Sequence, residues 1–407
     1  MTENIRYDGS LKASVILKDL APFVPALSRF EEPLDLNLVF SGHGKHLDCP
    51  TLRLTNHHGL MIAGEAALSN WDAGMDMYIY GKLGNLTMTK EGINVLMTNL
   101  TGKVPPILQR LDYIRFNGEA AGYLHDLTLT GLFHTGAGMV KTDVMMSIDE
   151  QSMSRTYSGS VASADLDLGK LLNQEKKFGK VDFNVELKGF NYKNRYPESY
   201  IKGIISSFEY SQYQYENIML DGVYKDGGFN GRLSMDDANG SVQIDGNFNV
   251  AKTIPDFNLK ASVKNLRPHD LHLSDKYENA SISLGLTADF TGKSIDDMNG
   301  RISLDSLQLN APDEGGCFLD NLTITAGQVS GEKELRINSS FMTAVIRGDY
   351  SYHTIPASVV KTVQRYIPSL LTIKDNMPEP HNNFQFDICL ENTEVLSKLF
   401  QIPLELY

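Results

Sequence analysis

Few residue groups in this 407-residue chain have the types and spacing to do chemistry. Gly292-Lys293-Ser294 has the ending of a phosphate-binding loop, in which backbone amides and a lysine cradle nucleotide phosphates. That loop needs a glycine where Thr287 stands and should open a long helix, whereas Ile295-Asp296-Asp297-Met298-Asn299-Gly300 reads as a turn. Asp236-Asp237-Ala238-Asn239-Gly240 resembles a calcium loop. Its first ligand position would be Met235 and its bidentate glutamate position is Gly246, so a hairpin turn is the better reading. His57-His58, placed on a strand, would point its imidazoles to opposite faces, poor geometry for one metal. Tyr210-Ser211-Gln212-Tyr213-Gln214-Tyr215 offers rings for a sugar to stack on, although a cross-strand tyrosine ladder explains it more simply.

Cys49, Cys317 and Cys389 are too far apart for a metal knuckle or a disulfide framework. Each sits in or beside a strand-like run, which predicts small, buried, apolar side chains. His-Glu-x-x-His and Gly-x-Ser-x-Gly are absent, and the carboxylates concentrate in turns, where they favour hairpins or stay solvated. No acid–base pair stands out. The expectation is a non-enzymatic chain with no cofactor and no metal.

The elements around these residues say more than the residues themselves. From Tyr210 to Val263, apolar and polar residues alternate: Ile218 and Leu220; Phe229, Leu233 and Met235; Val242, Ile244, Phe248 and Val250; Phe257, Leu259 and Val263. Period two places one set of side chains on one face of a sheet. The runs are separated by Asp221-Gly222, Asp226-Gly227-Gly228, Asp236 to Gly240 and Asp245-Gly246, each read as a turn. The prediction is an all-β fold, an antiparallel meander with one apolar face.

Composition narrows the function. A net charge of −13 argues against nucleic-acid binding and against electrostatic docking to anionic lipid heads. No apolar run is long enough to span a membrane as a helix, and the N-terminus lacks the apolar core of a signal peptide. Leu11 to Leu17 is strand-like almost from the start, and Ile402-Pro403-Leu404-Glu405-Leu406-Tyr407 stops as a strand would begin. Both ends look cut, so the expectation is an internal piece of a longer protein.

A local phrase recurs. His125-Asp126-Leu127-Thr128-Leu129-Thr130-Gly131 returns as Glu216 to Gly222 and as Asp320-Asn321-Leu322-Thr323-Ile324-Thr325-Ala326, with a weaker copy at Asp48 to Leu54. Strands with a central glycine follow, at Gly64, Gly246 and Gly348. The uneven spacing fits a drifting β-repeat rather than a solenoid of fixed rung. Helical segments are expected at Asp19 to Leu27, Thr89 to Leu111, Asp165 to Leu172, Ser358 to Leu371 and Thr393 to Phe400, each with a capping residue near its start. Residues 1–407 read as one continuous elongated body, with weak breaks near 190–198 and 376–383.

Three segments carry a family resemblance: Asp165-Leu166-Asp167-Leu168-Gly169-Lys170-Leu171-Leu172; Phe208-Glu209-Tyr210 through Tyr213 and Tyr215 to Ile218; and Phe229-Asn230-Gly231-Arg232-Leu233-Ser234-Met235 through Gly240. They resemble the central region of TamB-like proteins of the AsmA superfamily, especially those of Bacteroidota. The likeness rests on repeat phrasing and covers most of the chain; the family's membrane anchor and C-terminal conserved domain have no counterpart. It implies a periplasmic bridge between inner and outer membranes of a Gram-negative bacterium, held to the inner membrane by an anchor absent here. It implies a long sheet curled into an open groove with an apolar interior, phospholipid transport, and support for outer-membrane protein assembly beside an outer-membrane β-barrel assembly protein (TamA/BamA-like). It carries no catalytic residues.

The alternation gives the groove residues: Ile218, Leu220, Phe229, Leu233, Val242, Ile244, Phe248, Leu259, Val263, Leu322 and Ile324. A one-residue register slip would invert them. An apolar face with few helices to cover it must close on itself or around something, and acyl chains are a plausible filling at about 0.8 kcal/mol per buried methylene. Two alternatives stand beside this: a scaffold or chaperone segment offering strand edges to outer-membrane β-barrel clients, and a surface β-protein binding glycans.

Overall fold

The computed structural model describes residues 5–20, 28–149, 151–152, 154–191, 198–275, 278–312, 316–351, 382–391 and four isolated positions between 354 and 365. The predicted helices at Ser358 to Leu371 and Thr393 to Phe400 lie outside these residues or almost so, as do most of Asp19 to Leu27 and the break near 376–383. The expectation of an antiparallel all-β fold holds: the described strands form an open sheet of 22, not closed into a barrel, with few and short helices.

The chain divides into two compact units, Met1–Val223 and Tyr224–Tyr407. The first contains β1 (Arg6–Ile16), β2 (Pro33–His43), β3 (His46–Thr55), β4 (Leu60–Ser69), β5 (Tyr78–Thr89), α1 (Lys90–Thr101), α2 (Pro106–Gln109), β6 (Tyr113–Tyr123), β7 (Asp126–Thr135), β8 (Gly138–Asp149), β9 (Ser154–Ala164), β10 (Leu166–Asp167), α3 (Leu168–Leu172), β11 (Phe178–Asn191) and β12 (Glu198–Tyr210). The division falls within β13 (Tyr213–Lys225). The second unit continues with β14 (Gly228–Asp237), β15 (Gly240–Asn249), β16 (Asp256–Leu266), β17 (Ser281–Thr291), β18 (Asn299–Asn310), β19 (Cys317–Val329), β20 (Glu332–Ser339), β21 (Met342–Asp349) and β22 (Asn383–Leu390).

Antiparallel pairing runs from each strand to the next, from β1 to β9 and from β14 to β22. The exception is β9, which pairs with β11, beyond the two-residue β10. Tight turns make this possible. Asp226 and Gly227 connect β13 to β14 with φ of 51° and 77°, and Ser330 and Gly331 connect β19 to β20 with φ of 54° and 86°. Two consecutive left-handed residues are what a two-residue hairpin needs to match strand twist.

Two of the four expected turns are therefore found and two are not. Asp226-Gly227 turns, and Asp237 pairs with Gly240 around Ala238-Asn239. Asp221-Gly222 and Asp245-Gly246 instead lie inside β13 and β15. In β15, Gly246 pairs with Gly231 and adopts φ 151°, and a Cβ there would meet the carbonyl oxygen of Asn258 on β16 at 2.2 Å, so its freedom serves the close approach of that strand and not a reversal. His57-His58 is corrected too: the pair sits in the β3–β4 turn, not on a strand.

The expected helix from Thr89 resolves into α1 and α2. Thr89 Oγ1 accepts from Gly92 N at 3.2 Å, and Gly102 in the left-handed conformation ends α1 by donating to Thr98 O. Asp167 caps α3 through Lys170 N. These helices cover one end of the first unit's strands. Ile93 of α1, only 1 % exposed, packs with Leu111, Ile114, Ala137, Leu166 and Val181. In the second unit, Ala326, Leu335, Ile346, Tyr350 and Ile355 form one cluster, and Ala280, Leu309, Ala311 and Cys317 another.

Candidate functional site: an apolar sheet face

Strand register turns the alternation into continuous rows. In the second unit one row runs Leu233, Ile244, Ala261, Leu286, Leu304 and Leu322 across β14 to β19. The next runs from Gly231 through Gly246, Leu259, Ala288, Ile302, Ile324, Ile337 and Ala344 to Ile388. A third carries Phe229, Phe248, Phe257 and Phe290, and Val242 pairs with Val263 in a fourth. Nine of the eleven residues expected from sequence thus share this face: Phe229, Leu233, Val242, Ile244, Phe248, Leu259, Val263, Leu322 and Ile324. The other two, Ile218 and Leu220, share a face of β13 and are half-buried, with Met219 turned the other way and 52 % exposed.

The first unit has its own face of the same kind, which the candidate residues omit. A row passes from Leu11 through Leu38, Leu52, Gly64, Leu83, Gly118, Gly131, Thr142, Val161 and Val185 to Gly203. Its neighbour runs from Cys49 through Ala66, Gly81, Ala120, Leu129, Val144, Gly159 and Leu187 to Ile201. Leu127-Thr128-Leu129 shows the same period in the sequence and carried the signal. The many glycines and alanines leave these rows shallow.

Most of this surface is half-buried: Val242, Ile244, Leu259, Val263, Leu322 and Ile324 all remain partly exposed, and Phe248 is 41 % exposed. Sheet neighbours shield one another sideways, and toward β19 to β21 the rows are covered further: Ile324 and Ile337 pack against the cluster that holds Tyr350 and Ile355, and Leu322 packs against Leu319 and Phe341.

The opposite face is polar and paired. Arg232 Nε donates to Asp245 Oδ1 at 2.5 Å and Gln243 Nε2 to Oδ2 at 2.7 Å; the Gln243 and Arg232 contacts hold the Asp245 carboxyl below its ordinary range. Glu334, with a side chain 10 % exposed, accepts from Arg347 Nε at 2.6 Å and from Arg336 Nη2 at 3.1 Å. These bonds, Arg347's foremost, outweigh burial and lower its pKa. The tyrosines form a ladder: Tyr210 and Tyr213 flank a two-residue turn, and Phe178, Phe208, Tyr210 and Tyr215 lie with ring centroids 5.5 to 6.5 Å apart.

Cys49 and Cys317 are buried as expected, but Cys389 is exposed, as are Ile388 and Leu390 on the other face of β22. Gly292-Lys293-Ser294 leads into a single helical turn at Ile295–Asp297. Among the described residues no three of His, Cys, Asp and Glu converge as a metal site, and no helix is long and apolar enough to cross a membrane. No protein-family model matches the chain, and neither does any curated protein or solved structure.

Proposed function

We propose that the apolar face is a groove surface that carries phospholipid acyl chains. On this reading the chain is a non-enzymatic periplasmic segment of an envelope-spanning TamB-like protein. Phospholipid moves along the face between inner and outer membrane, and an outer-membrane β-barrel assembly protein is the partner at the far side. The observation that carries the reading is the run of half-buried apolar rows, continuous over many strands. Such a surface takes hydrocarbon without a shaped pocket, because the free energy follows the area removed from water, about 25 cal/mol per Å². It makes no demand on the head group. The resemblance of the repeat phrasing supplies the cellular setting.

The test is mass spectrometry of lipid co-purifying with the chain expressed in a Gram-negative periplasm and isolated without detergent. Several phospholipids per chain with little head-group preference support the reading. A folded β-protein without lipid removes it.

A further inference from the structure

We infer that the space between α1 and the ends of β2 to β4 is a binding site for the end of a linear hydrocarbon chain. α1 is pinned on two sides. Thr89 Oγ1 donates to His58 O at 2.7 Å, and a Cβ on Gly92 would lie 3.0 Å from the same carbonyl, so the helix start touches the β3–β4 turn. On another side Ile93 is locked into the cluster with Leu111 and Ile114. Leu96 and Asn99 share the helical face of Gly92, and they reach over β2 to β4 without filling the gap beneath. A cavity of about 130 Å³ results, walled by Phe30, Leu34, Leu54, Ile62, Val95 and Leu96.

Its polar lining is Glu32, Asn56 and Asn99. Asn56 Oδ1 is occupied, accepting from His58 N at 3.0 Å and Leu60 N at 2.8 Å; Glu32 Oε2 is buried, 3.0 Å from His58 Nε2 but without a hydrogen bond, and is the one buried polar atom of the lining left unsatisfied among the described residues. The remaining wall is leucine, isoleucine, valine and phenylalanine. Apolar cavities of roughly 150 Å³ with such walls stay dry and accept benzene or xenon. The volume is too small for a whole acyl tail but suits its terminal methylenes. Leu54 and Ile62 pair across β3 and β4 within the apolar face, so a chain lying on that face can end here. The site does not depend on lipid transport along the face: free alkanes and lipid tails share the chemistry.

The test uses crystals of the full chain under xenon pressure, then soaked with 1-bromodecane or with a phospholipid brominated at the tail end. Xenon between Ile62 and Leu96, and bromine density there from either probe, is the expected result. Bromine from the phospholipid identifies a lipid tail as the source, and bromine from the alkane alone identifies a free hydrocarbon. Val95→Phe should fill the space and weaken 1-bromodecane binding at least tenfold with strand content intact by circular dichroism; Val95→Leu should give a smaller loss and serves if the larger variant misfolds. Absence of bromine from both probes, or unchanged binding in a folded Val95→Phe, overturns the proposal.

Discussion

Gly118 on β6 pairs directly with Gly131 on β7, and the ring of Phe116 lies over the pair. A Cβ on Gly131 would meet Phe116 Cε2 at 2.4 Å, and one on Gly118 would meet the carbonyl oxygen of Thr130 at 2.3 Å. The aromatic ring occupies the volume that two side chains would otherwise share, which lets the strands bend closely at this point. Gly131→Ala is therefore expected to destabilise the first unit by about 1–3 kcal/mol through overpacking. Denaturant unfolding of the single variant and of its combination with Phe116→Leu checks this: the smaller side chain should recover part of the loss, and strict additivity would contradict the contact.

A charge on the apolar face should empty it. Leu220→Asp, and separately Ile244→Asp, are expected to reduce co-purified phospholipid several-fold, whereas Met219→Asp, on the solvent side of β13, leaves it unchanged. Quantitative lipid mass spectrometry of the three folded variants decides. Equal losses at Leu220 and Met219 would sink the one-faced reading.

Glu334 gives the second unit an acid-sensitive tie. Its folded pKa lies below the ordinary glutamate value near 4.3 because Arg347 and Arg336 bond the ionised form. Its contribution is accordingly complete above that ordinary value and disappears as pH falls through the depressed one. Glu334→Gln should lower the melting temperature at pH 7, and the gap from the parent should close on acidification below pH about 4. A gap independent of pH would mean that shape, and not charge, matters at this position.

Thiol reactivity should follow burial. Cys389 is exposed, whereas Cys49 and Cys317 are buried, and burial, helped by Asp48, raises the Cys49 pKa. Maleimide should label one thiol rapidly in the folded chain and the other two only in denaturant, as peptide mapping would show. Fast labelling of Cys49 would contradict its packing against Ala66.

The same residues show what a sequence can and cannot reveal. Alternation placed Val242, Ile244, Leu259 and Val263 on one face because the period-two pattern is local and no bulge interrupts β14 to β16 before Val263. Asp226-Gly227 was legible as a turn for a similar reason. Asp245-Gly246 has the same two residues and no turn. The difference lies on β16, where the carbonyl oxygen of Asn258 would stand 2.2 Å from a Cβ at Gly246, and no local window contains both. Cys389 shows the same limit: both faces of β22 are exposed around it, and its local strand pattern does not differ from that of the buried Cys317. The division within β13 has no mark in composition.

Nearly every strand in each ladder is held by the strands just before and after it in the chain. The separation along the chain between touching residues is correspondingly short, so each hairpin can form as soon as its own residues are available. Structure can then grow from a nucleus by one strand at a time, as in other linear arrays. Pulled from its ends, such a chain should yield as a succession of small hairpin-sized lengthenings instead of one cooperative rupture.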